Sequence, residues 1–241
     1  MPAQNAAPNK VAVITGGGSG IGLAMARVFA TNGYSVVITG RDAKRLQKAA
    51  ATISADKKQV TGIPCDVRNP ASVEKLFREI GKQHSAVNVL INNAGVAHAL
   101  APVDQLSIET WKEVIDTNLT GTFLITRAAL PLMRMGGTVV NNLSVAALQP
   151  FAGMSAYNAS KFGALGFTHA LREDLRKRGI RVLALLPGAT NTEIWGQFWP
   201  DAPKEKMISA ETVAQAVLHA VSAPANTAIE EIRIGPAAGV L

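Results

Sequence analysis

"KVAVITGGGSGIG", Lys10 to Gly22, runs from an apolar β-branched stretch straight into a glycine-rich turn. Lys10–Thr15 reads as a strand, because Val, Ile and Thr suit a pleated surface. The turn then opens a helical stretch, "IGLAMARVFATNG", that ends near Gly33. In such a strand–turn–helix unit each glycine has a physical task. Gly16 allows a tight turn, Gly20 lets the backbone approach a pyrophosphate, and Gly22 lets the helix lie close on the strand. The helix start offers free N–H groups and a positive dipole end to phosphates. A glycine-rich turn alone is weak ground; its place between the first strand and a helix gives it weight.

The same alternation continues along the chain. "YSVVIT", "QVTGIPCDV", "VNVLINNAG", "GGTVVNNLS", "IRVLALLPG" and "AIEEIRI" read as strands. Between them lie the helical stretches "RDAKRLQKAAATIS", "PASVEKLFREIGKQ", "SIETWKEVIDTNLTGTFLITRAALPLM", "SAYNASKFGALGFTHALREDLRKRG" and "SAETVAQAVLHAVSA". Pro70 stands near the start of one helix, and Ser107 is placed to cap the long one. The strands are continuous apolar runs, the pattern of parallel strands covered on both faces. The expected architecture is α/β: a doubly wound, Rossmann-type, mainly parallel seven-stranded sheet with helices on both faces and right-handed crossovers. These elements fill 1–241 as one domain. Ligands of such sheets bind at the carboxyl ends of the strands.

Composition narrows the function classes. About half of the 241 residues are apolar, enough for a large core. The net charge is +7, but Lys and Arg are dispersed and mixed with acids, as in "LREDLRKRG". That describes a solvated surface, and no nucleic-acid partner is expected. No apolar run reaches the roughly 18 residues of a membrane span, so no membrane partner is expected and the protein reads as cytoplasmic. "MPAQNAAPNK" lacks an apolar signal core, and residues 1–8 read as a disordered tail. Cys65 is the single cysteine, so an intrachain disulfide is excluded. It reads as a buried structural thiol, and no metal-ligand spacing is visible.

"YNASK", Tyr157 to Lys161, places a phenol and an ammonium at i and i+4, on one helix face. A free phenol has a pKa near 10, about three units too high for a general base at neutral pH. That gap corresponds to roughly 4 kcal/mol. A cation about 4–5 Å away at an effective dielectric near 20 supplies about 3–4 kcal/mol. Taken alone the pair also reads as an ordinary helix-surface contact. Ser144 ends the fifth strand, thirteen positions before Tyr157. Its hydroxyl stands either at a substrate oxygen or in a turn or cap. Asn118 lies beside Thr117, Thr120 and Gly121, all poor helix formers. That stretch reads as a kink freeing a backbone carbonyl for water, or as a solvated polar patch.

The second strand ends in Gly40 and Arg41, where an NAD site usually carries an acid for the ribose 2′-OH. Glycine leaves room there, and arginine pairs with a 2′-phosphate by charge-assisted bonds. Arg41 also reads as a solvated helix start, and Asp42 is a rival partner for the ribose.

The spacing TG-x-x-x-G-x-G, with "CDV", "NNAG", "YNASK" and "PG" following in order, resembles the short-chain dehydrogenase/reductase family from Lys10 to the last strand. The resemblance implies a catalytic set of Asn118, Ser144, Tyr157 and Lys161. It implies coenzyme contacts from Gly16, Ser19, Gly20, Ile21, Gly22, Arg41, Asp66, Val67, Asn93, Ala94, Gly95, Tyr157, Lys161, Pro187, Gly188, Thr190 and Thr192. Asp66 would meet the adenine and Thr192 the carboxamide. The basic Arg41 resembles NADP-preferring members, whereas Ser19 is not the Lys or Arg that some of them carry. The expected coenzyme is therefore NADP(H), with NAD(H) as the alternative.

The expected reaction interconverts a carbonyl and a secondary alcohol on a small-molecule substrate. An NAD-linked alcohol or sugar dehydrogenase and a non-catalytic dinucleotide-binding protein are the other readings. The family resemblance also implies that residues 190–207 cover the substrate, and Trp195, Phe198 and Trp199 make that loop aromatic. It implies a homodimer or homotetramer through the two long helices. His98 and His169 are poor candidates for catalysis.

Overall fold

A computed structural model of the chain describes residues 10–54 and 59–239; the expected tail, 1–8, lies outside them. The strands are β1 Val11–Thr15, β2 Ser35–Gly40, β3 Val60–Pro64, β4 Val87–Asn92, β5 Met133–Asn142, β6 Arg181–Pro187 and β7 Glu231–Ile234. They form one sheet in the order β3-β2-β1-β4-β5-β6-β7, and every neighbouring pair is parallel. The helices are α1 Gly20–Thr31, α2 Ala43–Ile53, α3 Pro70–Gln83, α4 Ile108–Ile115, α5 Gly121–Ala129, α6 Ser155–Arg176 and α7 Ala210–Val221.

Both faces of the sheet are covered, which is why its strands read as unbroken apolar runs. Along β1, Ala12 and Ile14 join a core with α1, α2 and α7, including the fully buried Met25 and Phe29. Val11 and Val13 face the other way, into a core with Leu76 and Ile80 of α3, Ile125 of α5 and Leu171 of α6. Strand order reverses between β1 and β4, so the loops after these two strands diverge and leave a crevice at their carboxyl ends. Local chemistry sets the helix starts. Asp42 accepts from the Arg45 amide at 3.0 Å, Asn69 precedes Pro70 and accepts from the Ser72 amide, and Ser107 accepts from the Thr110 amide.

The expected long helix from Ser107 to Met133 is instead broken into pieces. After α4 comes a π-turn, Asp116–Thr120, then α5, then a 3₁₀ turn, Leu130–Leu132, and β5 already begins at Met133. The break coincides with a close approach. A Cβ on Gly121 would stand 2.7 Å from the Val67 side chain, so the helix meets the loop after β3 through a glycine. The Gly121 amide reaches back to the Asp116 carbonyl, widening the turn that holds Asn118. The last strand is also shorter than expected, because only Glu231–Ile234 pair with β6.

Candidate active site

A cavity of about 840 Å³ opens at the carboxyl ends of β1, β4, β5 and β6. The glycine turn forms one wall. Gly16 and Gly20 adopt left-handed φ values of 65° and 52°, which side-chain-bearing residues rarely take. A Cβ on Gly22 would lie 2.4 Å from the Gly16 carbonyl oxygen and 2.4 Å from Asn93 Nδ2, so only glycine fits there. Ser19 precedes α1 without a side-chain cap, which leaves the first-turn amides to another acceptor. A turn without side-chain bulk ending in uncapped amides fits a pyrophosphate.

The turn is laced to the loop after β4. Thr15 Oγ1 accepts from the amides of Asn93 and Ala94, each at 2.9 Å. Asn93 Nδ2 donates back to the carbonyls of Thr15 at 2.9 Å and Gly16 at 3.2 Å. Asn142 Nδ2, at the end of β5, donates to Asn93 Oδ1 at 2.8 Å. Deeper in the sheet, Asn92 donates to Thr126 and Asn141, and Asn141 donates to Thr168, all over 2.8 Å. These buried amides tie β4 and β5 to α5 and α6 at the level of the cavity floor.

Tyr157, Lys161 and Ser144 line the cavity together. Lys161 is 7% exposed, and its Nζ donates to the Asn142 carbonyl at 3.2 Å and lies 5.5 Å from the Tyr157 ring centroid. Burial pushes the ammonium down to about 8. Burial also pushes the Tyr157 phenol up, and its hydrogen bond with Ser144 opposes that rise. Ser144 Oγ also accepts from the Ala146 amide at 3.1 Å, which fixes its position at the strand end.

Asn118 stands behind this trio rather than in the cavity lining. Its side-chain oxygen accepts from the Val96 amide at 2.9 Å. Its Nδ2 donates to the Val96 carbonyl at 2.9 Å and to Ser160 Oγ at 3.0 Å. The Asn118 carbonyl accepts from the Thr122 hydroxyl at 2.8 Å, which leaves its second lone pair open. A Cβ on Gly95 would stand 3.3 Å from Asn118 Oδ1 and 3.8 Å from Lys161 Nζ, so the glycine of "NNAG" keeps space beside both.

The two polar residues inside "YNASK" were not singled out from the sequence. Asn158 Oδ1 accepts from the Phe151 amide at 3.0 Å, and its Nδ2 donates to the carbonyls of Ala146 at 2.9 Å and Gln149 at 3.0 Å. It clamps the loop that carries Ser144 onto the helix that carries Tyr157. Ser160 Oγ donates to the Tyr157 carbonyl at 2.7 Å while accepting from Asn118. Two uncharged polar residues between Tyr157 and Lys161, at helix positions that turn inward, are the signal for them.

Of the residues expected at a coenzyme, Gly16, Ser19, Gly20, Ile21, Asn93, Ala94, Gly95, Pro187, Gly188, Thr190 and Thr192 line the cavity. Gly22 lies beneath the turn. Arg41, Asp66 and Val67 are not part of the lining. Asp66 is gripped by Arg68 in a fork: Nε to Oδ1 at 3.0 Å and Nη2 to Oδ2 at 2.7 Å. That bond is the main reason its carboxyl lies below the usual range. Val67 packs on Gly121, and the Asp42 carboxylate is committed to capping α2.

Thr190, Thr192, Glu193, Ile194, Trp195, Phe198 and Trp199 line the cavity. Trp195 stacks its ring near Phe198 and Trp199, with centroids 5.0 and 6.0 Å away, and its Nε1 donates to the Thr190 carbonyl at 2.8 Å. Gln197 accepts from the Ala97 amide at 2.9 Å, and Glu193 pairs with Arg45 of α2. His98 is buried outside the lining, and the exposed His169 pairs with Glu231 at 2.9 Å. Cys65 is buried, and burial pushes its thiol up. No group of His, Cys, Asp and Glu able to hold a metal occurs among the described residues. No helix there is long and apolar enough to cross a membrane.

Known proteins resemble this chain in sequence and in fold. The family model of short chain dehydrogenases matches residues 10–203. Dehydrogenase/reductase SDR family member 4 of Bos taurus is 35% identical over 212 residues, covering 87% of this chain and 76% of that one. An uncharacterized oxidoreductase of Staphylococcus aureus is 31% identical over 230 residues, covering 95% and 97%. Among solved structures, the alcohol dehydrogenase of Thermococcus sibiricus complexed with 5-hydroxy-NADP superposes with a TM-score of 0.87 at 29% identity, covering 95% and 97%. A serine dehydrogenase complexed with NADP+ gives 0.87 at 29% identity, covering 96% of each chain. With the glycine turn, the strand-end loops and the Ser–Tyr–Lys cluster in place, the chain belongs to the short-chain dehydrogenase/reductase family and is an NAD(P)-dependent oxidoreductase acting on CH–OH groups.

Proposed function

We propose that the protein interconverts a carbonyl and a secondary alcohol on a small or medium-sized apolar substrate, with NADP(H) preferred over NAD(H). One observation carries this reading: Ser144, Tyr157 and Lys161 line one cavity, with the Lys161 ammonium 5.5 Å from the Tyr157 ring centroid. When bound, the coenzyme supplies or takes up the hydride.

The chain's own groups handle the proton and the geometry. The phenol, pushed up by burial, holds its proton at neutral pH and donates it to the substrate oxygen during reduction. Ser144 orients and polarises that oxygen. Lys161, at about 8, keeps most of its charge at neutral pH, binds the nicotinamide ribose hydroxyls and favours the phenolate when the reaction runs as oxidation. Asn118 holds the turn behind Lys161, where a water bridge to solvent would relay protons.

Leu100, Phe151, Met154, Trp195, Phe198 and Trp199 give the substrate end an apolar lining, which suits an uncharged carbonyl compound. Residues 190–207 are the cover of that site. The coenzyme preference rests on Arg41, at the end of β2, and on relatives solved with NADP. Asp66 would meet the adenine only where Arg68 leaves one of its oxygens an open lone pair.

Ile108, Trp111, Phe123 and Phe162 leave an apolar face on α4, α5 and α6, on which a homodimer or homotetramer would assemble. A monomeric mass by light scattering contradicts that assembly. The location is cytoplasmic in this reading.

The test is a panel of small ketones, aldehydes and secondary alcohols followed by nicotinamide absorbance with each coenzyme. Turnover with NADPH above NADH supports the proposal. Turnover with NADH alone contradicts the coenzyme, and tight coenzyme binding without turnover on any panel member supports a non-catalytic role instead.

A further inference from the structure

Glu113 of α4 stands between two arginines, Arg41 just after β2 and Arg68 in the loop after β3. Its Oε1 lies 3.7 Å from Arg41 Nη1 and 3.9 Å from Arg68 Nη1. Arg68 already has a carboxylate, since Asp66 fills its Nε and Nη2. Arg41 makes its one ion pair among the described residues with Glu113, while the charge of Asp66, already held by Arg68, acts on it from further away. The arginine proposed to receive the 2′-phosphate therefore has an acidic partner in the protein, brought there from a helix 72 positions further along the chain.

Two effects of that partner oppose each other. The ion pair could hold Arg41 in a useful orientation. The carboxylate also places a negative charge beside the point where a phosphate monoester, carrying close to two negative charges, must settle. Exposure decides between them. The two side chains are 58% and 49% exposed, and ion pairs this open restrain their partners weakly. Repulsion from the phosphate grows with the phosphate's own charge, and it adds to the need to draw Arg41 away from Glu113. NAD(H), with a hydroxyl at that position, meets neither penalty.

We propose that Glu113 is a coenzyme-specificity residue that competes with the 2′-phosphate of NADP(H) for Arg41 and keeps NAD(H) usable. The proposal rests on the reading of Arg41 as the 2′-phosphate partner. Glu113 touches no reacting atom, so its removal alters coenzyme choice without altering the chemical step.

The test titrates NADPH and NADH by fluorescence against the parent, Glu113→Gln and Arg41→Ala, at low and at moderate salt. The expected result is that Glu113→Gln tightens NADPH roughly threefold, leaves NADH unchanged, and loses part of this gain as salt rises. An unchanged or weaker NADPH affinity in Glu113→Gln overturns the proposal. If at the same time Arg41→Ala lowers the NADPH-to-NADH ratio, the Arg41 reading survives and only the role of Glu113 fails. If Arg41→Ala leaves the ratio unchanged, the Arg41 reading fails and takes this proposal with it.

Discussion

Asn118 Nδ2 donates to Ser160 Oγ over 3.0 Å, joining the π-turn of one helix to the helical turn that separates Tyr157 from Lys161. The same amide pairs with both the N–H and the C=O of Val96. A single side chain thus sets the spacing of the loop after β4, the interrupted helix and α6.

Asn118→Ala removes those three bonds and leaves the Val96 N–H and C=O unpaired. A fully buried group left without a partner costs about 1–3 kcal/mol, and the half-buried Val96 groups cost less. The expected outcome is a lower melting temperature together with lower turnover. A variant as stable and active as the parent would show that the amide is dispensable.

Asn158 makes a separable prediction. Its three bonds hold the 146–151 loop against α6, away from the glycine turn. Asn158→Ala should loosen Ser144 relative to Tyr157 and lower kcat by roughly tenfold to a hundredfold, since small misplacements are costly in catalysis. Coenzyme affinity should stay within about twofold on the same ground. Weaker coenzyme binding with normal kcat is the opposite pattern and contradicts this role.

The glycine turn offers a paired test. Gly22→Ala forces a methyl to within 2.4 Å of a backbone oxygen, so the turn must shift, and coenzyme binding should be lost. Gly166, on α6, has nothing within 4 Å of the place a Cβ would occupy. Gly166→Ala should be neutral or stabilise by up to about 1 kcal/mol, as alanine favours helix over glycine. Calorimetry and coenzyme titration on both variants check the contrast.

Lys161 gives a pH dependence. Burial lowers it from an ordinary 10.5 to about 8, so its folded pKa lies below its unfolded one. Between those values the unfolded chain holds a proton that the folded protein has released. Stability therefore rises with pH across that window, and the burial cost is fully present below about 8. Lys161→Met abolishes this titration. Its stability relative to the parent should fall by about 3 kcal/mol between neutral pH and pH above 10.5, read from urea unfolding at each pH. A difference that does not change with pH contradicts the burial of a charged lysine.

Much of this was legible because parallel strands buried on both faces write themselves as apolar runs. The ends of β1, β4, β5 and β6 then mark where chemistry collects, and Gly16, Asn93, Ser144 and Pro187 stand there. What escaped depends on contacts between distant segments. The break in the long helix falls where Gly121 meets Val67, 54 positions away, and propensity alone shows only that the region is weak. Asn158 and Ser160 look like spacers until the Ser144 loop and Asn118 are placed beside them. The fork between Asp66 and Arg68, and the reach of Glu113 to Arg41, are pairings that no local pattern announces.

The central claim is that the Tyr157 phenol moves the proton, and Tyr157→Phe tests it by deleting one oxygen from a ring that stays packed. Turnover of the best panel substrate should fall by about a hundredfold or more, the usual scale for losing a general acid, with fold and NADPH affinity retained. Near-normal turnover in a folded, coenzyme-binding Tyr157→Phe protein would contradict the account.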